Sequence, residues 1–195
     1  MEYFFYCRDK QGSMPKRLEL AEEHWTFMDG YADRMIARGP TFTLDDDDNV
    51  TGSLHIVDLP DAETAHAFAF EEPNHRAGVY GEVLIRRWTN VLGRTMWEYA
   101  HAQPDHHRFL IIAQGRTDTR ADEAQARYLD TSYRERLIAY GPLLSDDGTT
   151  WQGTALLVEL PDRATAETLI ANDPYARDGR YETVEIHDWM FGGRR

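Results

Sequence analysis

Gly52-Ser-Leu-His-Ile-Val-Asp-Leu-Pro-Asp61 and Gly153-Thr-Ala-Leu-Leu-Val-Glu-Leu-Pro-Asp162 are one segment met twice, 101 positions apart. Each starts on glycine, runs through apolar residues of strand character and ends on Leu-Pro-Asp, where proline stops the strand and aspartate is placed to cap a helix. The offset continues downstream: Thr64-Ala65 meets Thr165-Ala166, Pro73 meets Pro174, Gly78 meets Gly179, Tyr80 meets Tyr181, and Trp88 meets Trp189. One register held over that distance marks an internal repeat. Upstream the offset becomes 102, pairing Tyr31, Ile36, Ala37 and Gly39-Pro40 with Tyr133, Ile138, Ala139 and Gly141-Pro142. The second copy thus has one residue fewer between its Gly-Pro and its glycine-started strand. The expected organisation is a first copy over residues 1–92, a connector over 93–106 and a second copy over 107–195. Units of this size bury a limited share of their surface and gain from docking on a neighbour.

Within one copy, Tyr3-Phe-Phe-Tyr-Cys7, matched by Arg108-Phe-Leu-Ile-Ile-Ala113, opens the unit as a strand. Leu18, Ala21, Trp25, Met28, Ala32 and Met35 recur three or four apart, which predicts one helix ending at Gly39-Pro40. Thr41-Phe-Thr-Leu44 and Ser53 to Leu59 flank Asp45-Asp-Asp-Asp-Asn49 and predict a hairpin with a solvated acidic tip over Asp45 to Asp48. Asp61 then caps a second helix over Ala62 to Phe70, and Glu82 to Trp88 closes the unit as a strand. The order β-α-β-β-α-β, twice over, is that of a ferredoxin-like α+β unit. Its helices cover one face of the sheet, so the two copies are expected to dock sheet to sheet as an intramolecular pseudo-dimer. Thr89 to His107 matches neither copy and reads as a connector, packed in part through Trp97 and Tyr99.

The 195 residues include 34 acidic and 21 basic side chains, a net charge of −13, and 42% are hydrophobic, which is enough for packed cores and excludes a disordered polyanion. That charge repels phosphate backbones, so nucleic acid is not an expected partner. No apolar run approaches the roughly 18 residues that a membrane span needs, and the start Met1-Glu-Tyr-Phe-Phe-Tyr-Cys7 has no secretory pattern. The expected compartment is the cytoplasm, with no membrane partner. Cys7, the single cysteine, excludes an intrachain disulfide and a multi-cysteine zinc site.

His24 shares a helical face with Ala21, Trp25 and Met28, which places an imidazole against apolar neighbours. A lone histidine in such a place is commonly a core residue with one hydrogen bond satisfied. Counted back from Gly-Pro, the second copy has Ala126 there, so packing alone does not demand the imidazole. After the second helix, Glu72-Pro-Asn-His-Arg-Ala-Gly78-Val-Tyr80 and Asp173-Pro-Tyr-Ala-Arg-Asp-Gly179-Arg-Tyr181 both place an acid before proline. As structure, acid-proline ends a helix, the glycine admits a positive φ and the tyrosine packs. As chemistry, a carboxylate on a short rigid turn fixes the tautomer of a facing imidazole and raises its basicity. Spacing alone leaves both open.

Together the helix-one histidine, the Gly-Pro, the glycine-started strand and the Asp-Pro-Tyr-x-x-x-Gly-x-Tyr turn resemble the YciI-like (YCII) family, over most of residues 3–88 and 108–190. The resemblance implies ferredoxin-like units associated through their sheets into a dimeric α/β barrel, and a His-Asp dyad in a pocket. Relatives with known substrates include dehydrochlorinase-type enzymes. Carried over by position, the dyad falls on His24 and Glu72 in the first copy and on Asp173, without a histidine, in the second. Glu72 has one methylene more than aspartate, a difference that can displace the carboxylate. A composite site, with His24 facing Asp173, is the alternative; otherwise the second copy is a degenerate partner. Pocket-lining candidates are His55, which stands where the second copy has Leu156, together with Tyr6, Trp25 and Tyr80 as aromatic walls and Arg76 as an anion contact.

His66, His75, His101, His106 and His107 supply no His-x-x-x-His or cysteine-containing ligand set, and Asp45 to Asp48 lacks the spacing, glycine and distal glutamate of a calcium loop. There is also no Gly-rich phosphate loop and no Gly-x-Ser-x-Gly elbow. Neither metal nor cofactor is expected. The expected function is a cofactor-independent acid/base enzyme of lyase, dehydrochlorinase or isomerase type, in which His24, oriented by Glu72, moves a proton on a small organic molecule. The alternative is a non-catalytic small-ligand binding or scaffold protein. Further assembly of the pseudo-dimer into a homo-oligomer stays open.

Overall fold

The computed structural model of the chain describes residues 1–43 and 50–193. The first copy runs β1 (Glu2–Asp9), α1 (Met14–Glu19), α2 (Ala21–Asp29), β2 (Met35–Phe42), β3 (Val50–Asp58), α3 (Ala62–Phe70), α4 (Pro73–Arg76) and β4 (Tyr80–Trp88). The second runs β5 (His107–Gly115), α5 (Glu123–Ser132), β6 (Leu137–Leu144), β7 (Trp151–Leu160), α6 (Arg163–Asn172), α7 (Pro174–Arg177) and β8 (Tyr181–Trp189). Each copy forms an antiparallel sheet, ordered β4-β1-β3-β2 in the first and β8-β5-β7-β6 in the second. This is the ferredoxin-like arrangement read from the sequence, α+β in class and present twice.

The registers show which residues correspond. Phe5 lies opposite His55 and Ile85, and Ile111 lies opposite Leu156 and Ile186, so Phe5 and Ile111 hold the same place. In the first unit Phe5, Met28, Val57 and Phe68 are fully buried in one cluster, with the Phe5 and Phe68 rings 4.7 Å apart. Burying each such side chain contributes about 1.5–3 kcal/mol. Helix α3 begins where the sequence places it: the Asp61 carboxylate accepts the Thr64 N–H at 2.7 Å, and Asp162 does the same for Thr165 at 2.7 Å in α6.

The first helix differs from the sequence expectation. It ends at Asp29, a 3-10 turn occupies 32–34, and Met35 onward is strand β2. Met35, Ile36, Ala37 and Arg38 are all buried, the pattern of a strand covered on both faces; three- and four-residue spacing reads the same apolar residues as a helical stripe. Gly39-Pro40 is accordingly inside the strand rather than after a helix. Pro40 has no N–H to give, but its carbonyl accepts the Met190 N–H at 3.2 Å, and Gly192 N–H donates to the Arg38 carbonyl at 3.1 Å. A Cβ on Gly192 would lie 2.7 Å from Gly39 Cα, so glycine is what lets the two backbones approach.

The boundaries also shift. One compact unit comprises Met1–Arg87 with Met190–Arg195, and the other Trp88–Trp189. The tail at 190–193 therefore packs with the first unit, and the expected connector is part of the second. Met96 in that stretch is buried, and Thr95 and Glu98 close its 3-10 turn with a reciprocal capping box. The acidic stretch Asp45 to Asp48 lies outside the described residues. No described helix is long and apolar enough to cross a membrane.

Candidate functional site

Glu72 ends the segment after α3 in an extended conformation, with Pro73 at the first position of α4. Its Oε2 accepts the His75 N–H at 2.9 Å, capping that turn, and its Oε1 faces His24 Nδ1 at 2.5 Å. The turn cap and the imidazole contact are thus made by different oxygens of one carboxylate. The extra methylene of glutamate does not prevent the contact. His24 is carried on the inner side of α2, one turn before the buried Met28, and its side chain is 13% exposed against 3% for Glu72. Nδ1 is engaged, so Nε2 is the nitrogen left without a hydrogen-bond partner among the described residues.

His24 lines a cavity of about 200 Å³. Met14, Leu18, Ala21, Trp25 and Met28 from α1 and α2 form an apolar side, while Arg17, Arg38, Ser53, His55 and Asn74 bring polar groups. Arg17 is fixed on both sides: Nη1 donates to the two Asp9 oxygens at 2.9 and 3.0 Å, and Nη2 donates to Ser53 Oγ at 2.5 Å. Burial pushes the Asp9 carboxyl up to about 6, against the pull of the Arg17 charge. His55 is 3% exposed, and its ring lies 5.8 Å from that of His24 and 5.7 Å from Phe68. Burial, followed by the charges of His24, Arg17 and Arg38, holds His55 well below the ordinary imidazole range. Asn74 is buried with Oδ1 unpaired among the described residues, while its Nδ2 donates to the Tyr80 hydroxyl at 3.3 Å. Burial, chiefly, keeps the Cys7 thiol far above its usual range, so it is no thiolate nucleophile.

The structure brings together His24, Glu72, His55 and Trp25 from the sequence candidates, and places the others apart. Tyr6 is in the core, its hydroxyl 3.0 Å from Thr41 Oγ1, and Tyr80 is buried against Asn74; neither lines the cavity. Arg76 opens onto a separate shallow cleft with Glu22, Glu23 and Glu71. Asp173 is held within its own unit by Gln125, Tyr175 and Tyr181. Sequence reasoning missed Arg17, Asp9, Ser53, Arg38 and Asn74. Arg17 stands just before the predicted apolar stripe, and its role shows only where α1 brings it to Asp9 and Ser53. Among the described residues, no group of three or more His, Cys, Asp or Glu is arranged to hold a metal.

The second unit shows what the same scaffold does without this set. Gln125, not Ala126, stands where His24 does: its Nε2 donates to Asp173 Oδ2 at 2.5 Å and to the Tyr181 hydroxyl, and its Oε1 accepts from Thr154 at 2.9 Å. The second copy has one residue more between its helix and β6, so counting back from Gly-Pro lands one position late; the buried Met28 and Leu129 confirm the 101 offset. Burial raises the Asp173 carboxyl against the hydrogen bonds it accepts. No helix corresponds to α1 between β5 and α5, so no counterpart of Arg17 is delivered. Gly115 replaces Asp9, and Trp151 occupies the place of Val50, its ring packed edge-on to Tyr175 at 5.4 Å. A Cβ on Gly115 would sit 2.7 Å from Trp151 Cη2. Gly115→Ala should therefore lower stability by about 1–3 kcal/mol, the cost of overpacking a filled site. Urea unfolding checks this, and an unchanged midpoint would mean that Trp151 is loosely held.

The YCII-related domain model matches residues 1–89 and 97–190. Protein YciI of Escherichia coli O6:H1 is 32% identical over 97 residues, covering 47% of this chain and 99% of its own length. The 5-chloro-2-hydroxyhydroquinone dehydrochlorinase of Burkholderia phenoliruptrix AC1100, solved with 2,5-dihydroxybenzoquinone, is 25% identical over 48% of this chain and 99% of its own, with a TM-score of 0.44. A mutant chlorite dismutase of Candidatus Nitrospira defluvii is 10% identical and covers 98% of this chain and 91% of its own with a TM-score of 0.60, a likeness of fold. With its domain model matched once in each copy, the chain belongs to the YCII-related domain family and carries two of its domains.

Proposed function

We propose that the first unit is a general acid/base enzyme acting on a small organic molecule, with His24 as the proton-transferring group and Glu72 as the residue that positions it. The observation that carries this reading is the 2.5 Å contact between Glu72 Oε1 and His24 Nδ1 on a histidine that lines a cavity. A carboxylate on Nδ1–H leaves the lone pair on Nε2 and stabilises the imidazolium formed when that nitrogen takes a proton. Nε2 removes a proton from carbon, and the C–H electron pair enters the substrate. In a lyase or dehydrochlorinase step the pair forms a double bond as a leaving group departs with its own electrons. In an isomerase step the imidazolium returns the proton at another carbon. A positioned imidazole contributes about 10²–10⁴ in rate to such transfers. The second unit, with Gln125 in place of the imidazole, has no group for this role and serves as scaffold.

Glu72→Gln tests the pairing directly. In ¹⁵N spectra of the imidazoles, the wild-type His24 should hold its proton on Nδ1, and the variant should lose that single tautomer. A tautomer indifferent to the substitution would remove the dyad and favour a binding protein.

A further inference from the structure

His55 has no part in the dyad, yet the fold spends a buried position on it. It lies on β3 directly opposite Phe5 on one side and Arg38 on the other, and the equivalent position in the second unit is Leu156, opposite Ile111 and Tyr140. The scaffold therefore accepts an aliphatic residue there. At 3% exposure the imidazole has ring contacts with His24 and Phe68 and lines the same cavity as His24. A polar ring placed on a cavity wall where the scaffold accepts an aliphatic one marks a place where a ligand can complete the hydrogen bonding.

We propose that His55 is a second substrate-contacting residue of this cavity, donating a hydrogen bond to the carbonyl oxygen of a small carbonyl compound whose neighbouring C–H bond His24 ionises. The proposal rests on the acid/base reading of the same site. An imidazole base needs an acidified C–H, and a carbonyl group provides it. When Nε2 of His24 takes the proton, the C–H pair becomes a C=C bond and the carbonyl π pair moves to oxygen, giving an enolate. The His55 N–H meets that oxygen; the imidazolium then returns the proton to carbon, or the enolate expels a leaving group. The environment suits the role. His55 stays neutral, so it keeps one N–H to donate, and a neutral imidazole is an effective electrophile toward a carbonyl. Arg17 and Arg38 on the same cavity favour the charge that develops on oxygen. A cavity of about 200 Å³, below the roughly 300–1,000 Å³ of pockets for larger ligands, suits a small carbonyl compound.

The test uses the full chain with hydroxyacetone, pyruvate and acetylacetone as probes, following imidazole ¹⁵N signals and the replacement of carbon-bound hydrogen by deuterium in heavy water. At least one probe should shift the His55 ring nitrogens and undergo exchange above the spontaneous rate. His55→Leu should slow that exchange about 100-fold, the usual effect of losing one donor to a developing oxyanion, and His55→Gln, which keeps an N–H, should recover part of it. His24→Gln should abolish the exchange and leave the His55 shift in place. If no probe moves the His55 signals, or if His55→Leu exchanges as fast as the wild type, the proposal falls. If the His55 shift persists but His24→Gln exchanges normally, the acid/base reading fails while His55 remains a ligand contact.

Discussion

His24→Gln should lower turnover by about 100- to 10,000-fold, the range supplied by a positioned general base, on any substrate found by screening carbonyl compounds and halogenated or hydroxylated small molecules. The substitution copies what the chain already holds at the equivalent position, where Gln125 donates to Asp173 at 2.5 Å. A glutamine amide on α2 can likewise donate to Glu72 Oε1, so the carboxylate keeps a partner and its cap on α4. The thermal midpoint should therefore move little while the chemistry is lost. An amide has no lone pair basic enough to take a proton from carbon, and the rate, unlike the fold, depends on that. Equal turnover in wild type and variant would end the acid/base assignment; a large drop in the midpoint would mean that the imidazole is structural.

Closing the cavity should be as damaging, by a different route. Val50→Trp combined with Asp9→Gly transplants the pair that the second unit has as Trp151 and Gly115, where the indole lies over the glycine. In the first unit the indole would fill much of a space of about 200 Å³, and Arg17 would lose the carboxylate that fixes it. Ligand affinity should fall at least about 100-fold, equivalent to about 2.8 kcal/mol, by calorimetric titration with whichever probe binds the wild type. The His24–Glu72 contact lies outside the substituted pair, so its imidazole tautomer should persist and distinguish loss of space from loss of the dyad. Undiminished affinity would show that ligands bind elsewhere.

Much of the fold was legible because the two copies corroborate one another. Leu-Pro-Asp before α3 and α6, and the acid-proline before α4 and α7, are strong local signals whose backbone consequences are the same in both units. The ambiguity lay where signals of two periods overlap. Met28 and Met35 are one helical interval of seven apart, yet one is the last buried residue of α2 and the other the first of β2. A turn between them absorbs an extra residue in the second copy, and that is why counting from Gly-Pro reached Ala126 instead of Gln125. Extending the 101 offset from the acids would have found the glutamine. The partnership of His24 with Glu72 was reachable by resemblance, whereas Arg17 and Asp9 were not: their pairing depends on α1 folding back onto β1, and nothing in Asp9 to Arg17 alone announces that closure.

Glu72 gives one oxygen to a backbone N–H and the other to an imidazole, while Asp173 gives the first to a backbone N–H and the second to an amide and a phenol. The acid before proline is therefore required by the turn whether or not chemistry follows, and by itself it is a poor diagnostic of activity. Under the proposed acid/base reading, the informative position is the one on the preceding helix: a motif search keyed on the acid would count two candidate centres in this polypeptide, and one keyed on the helix residue would count one.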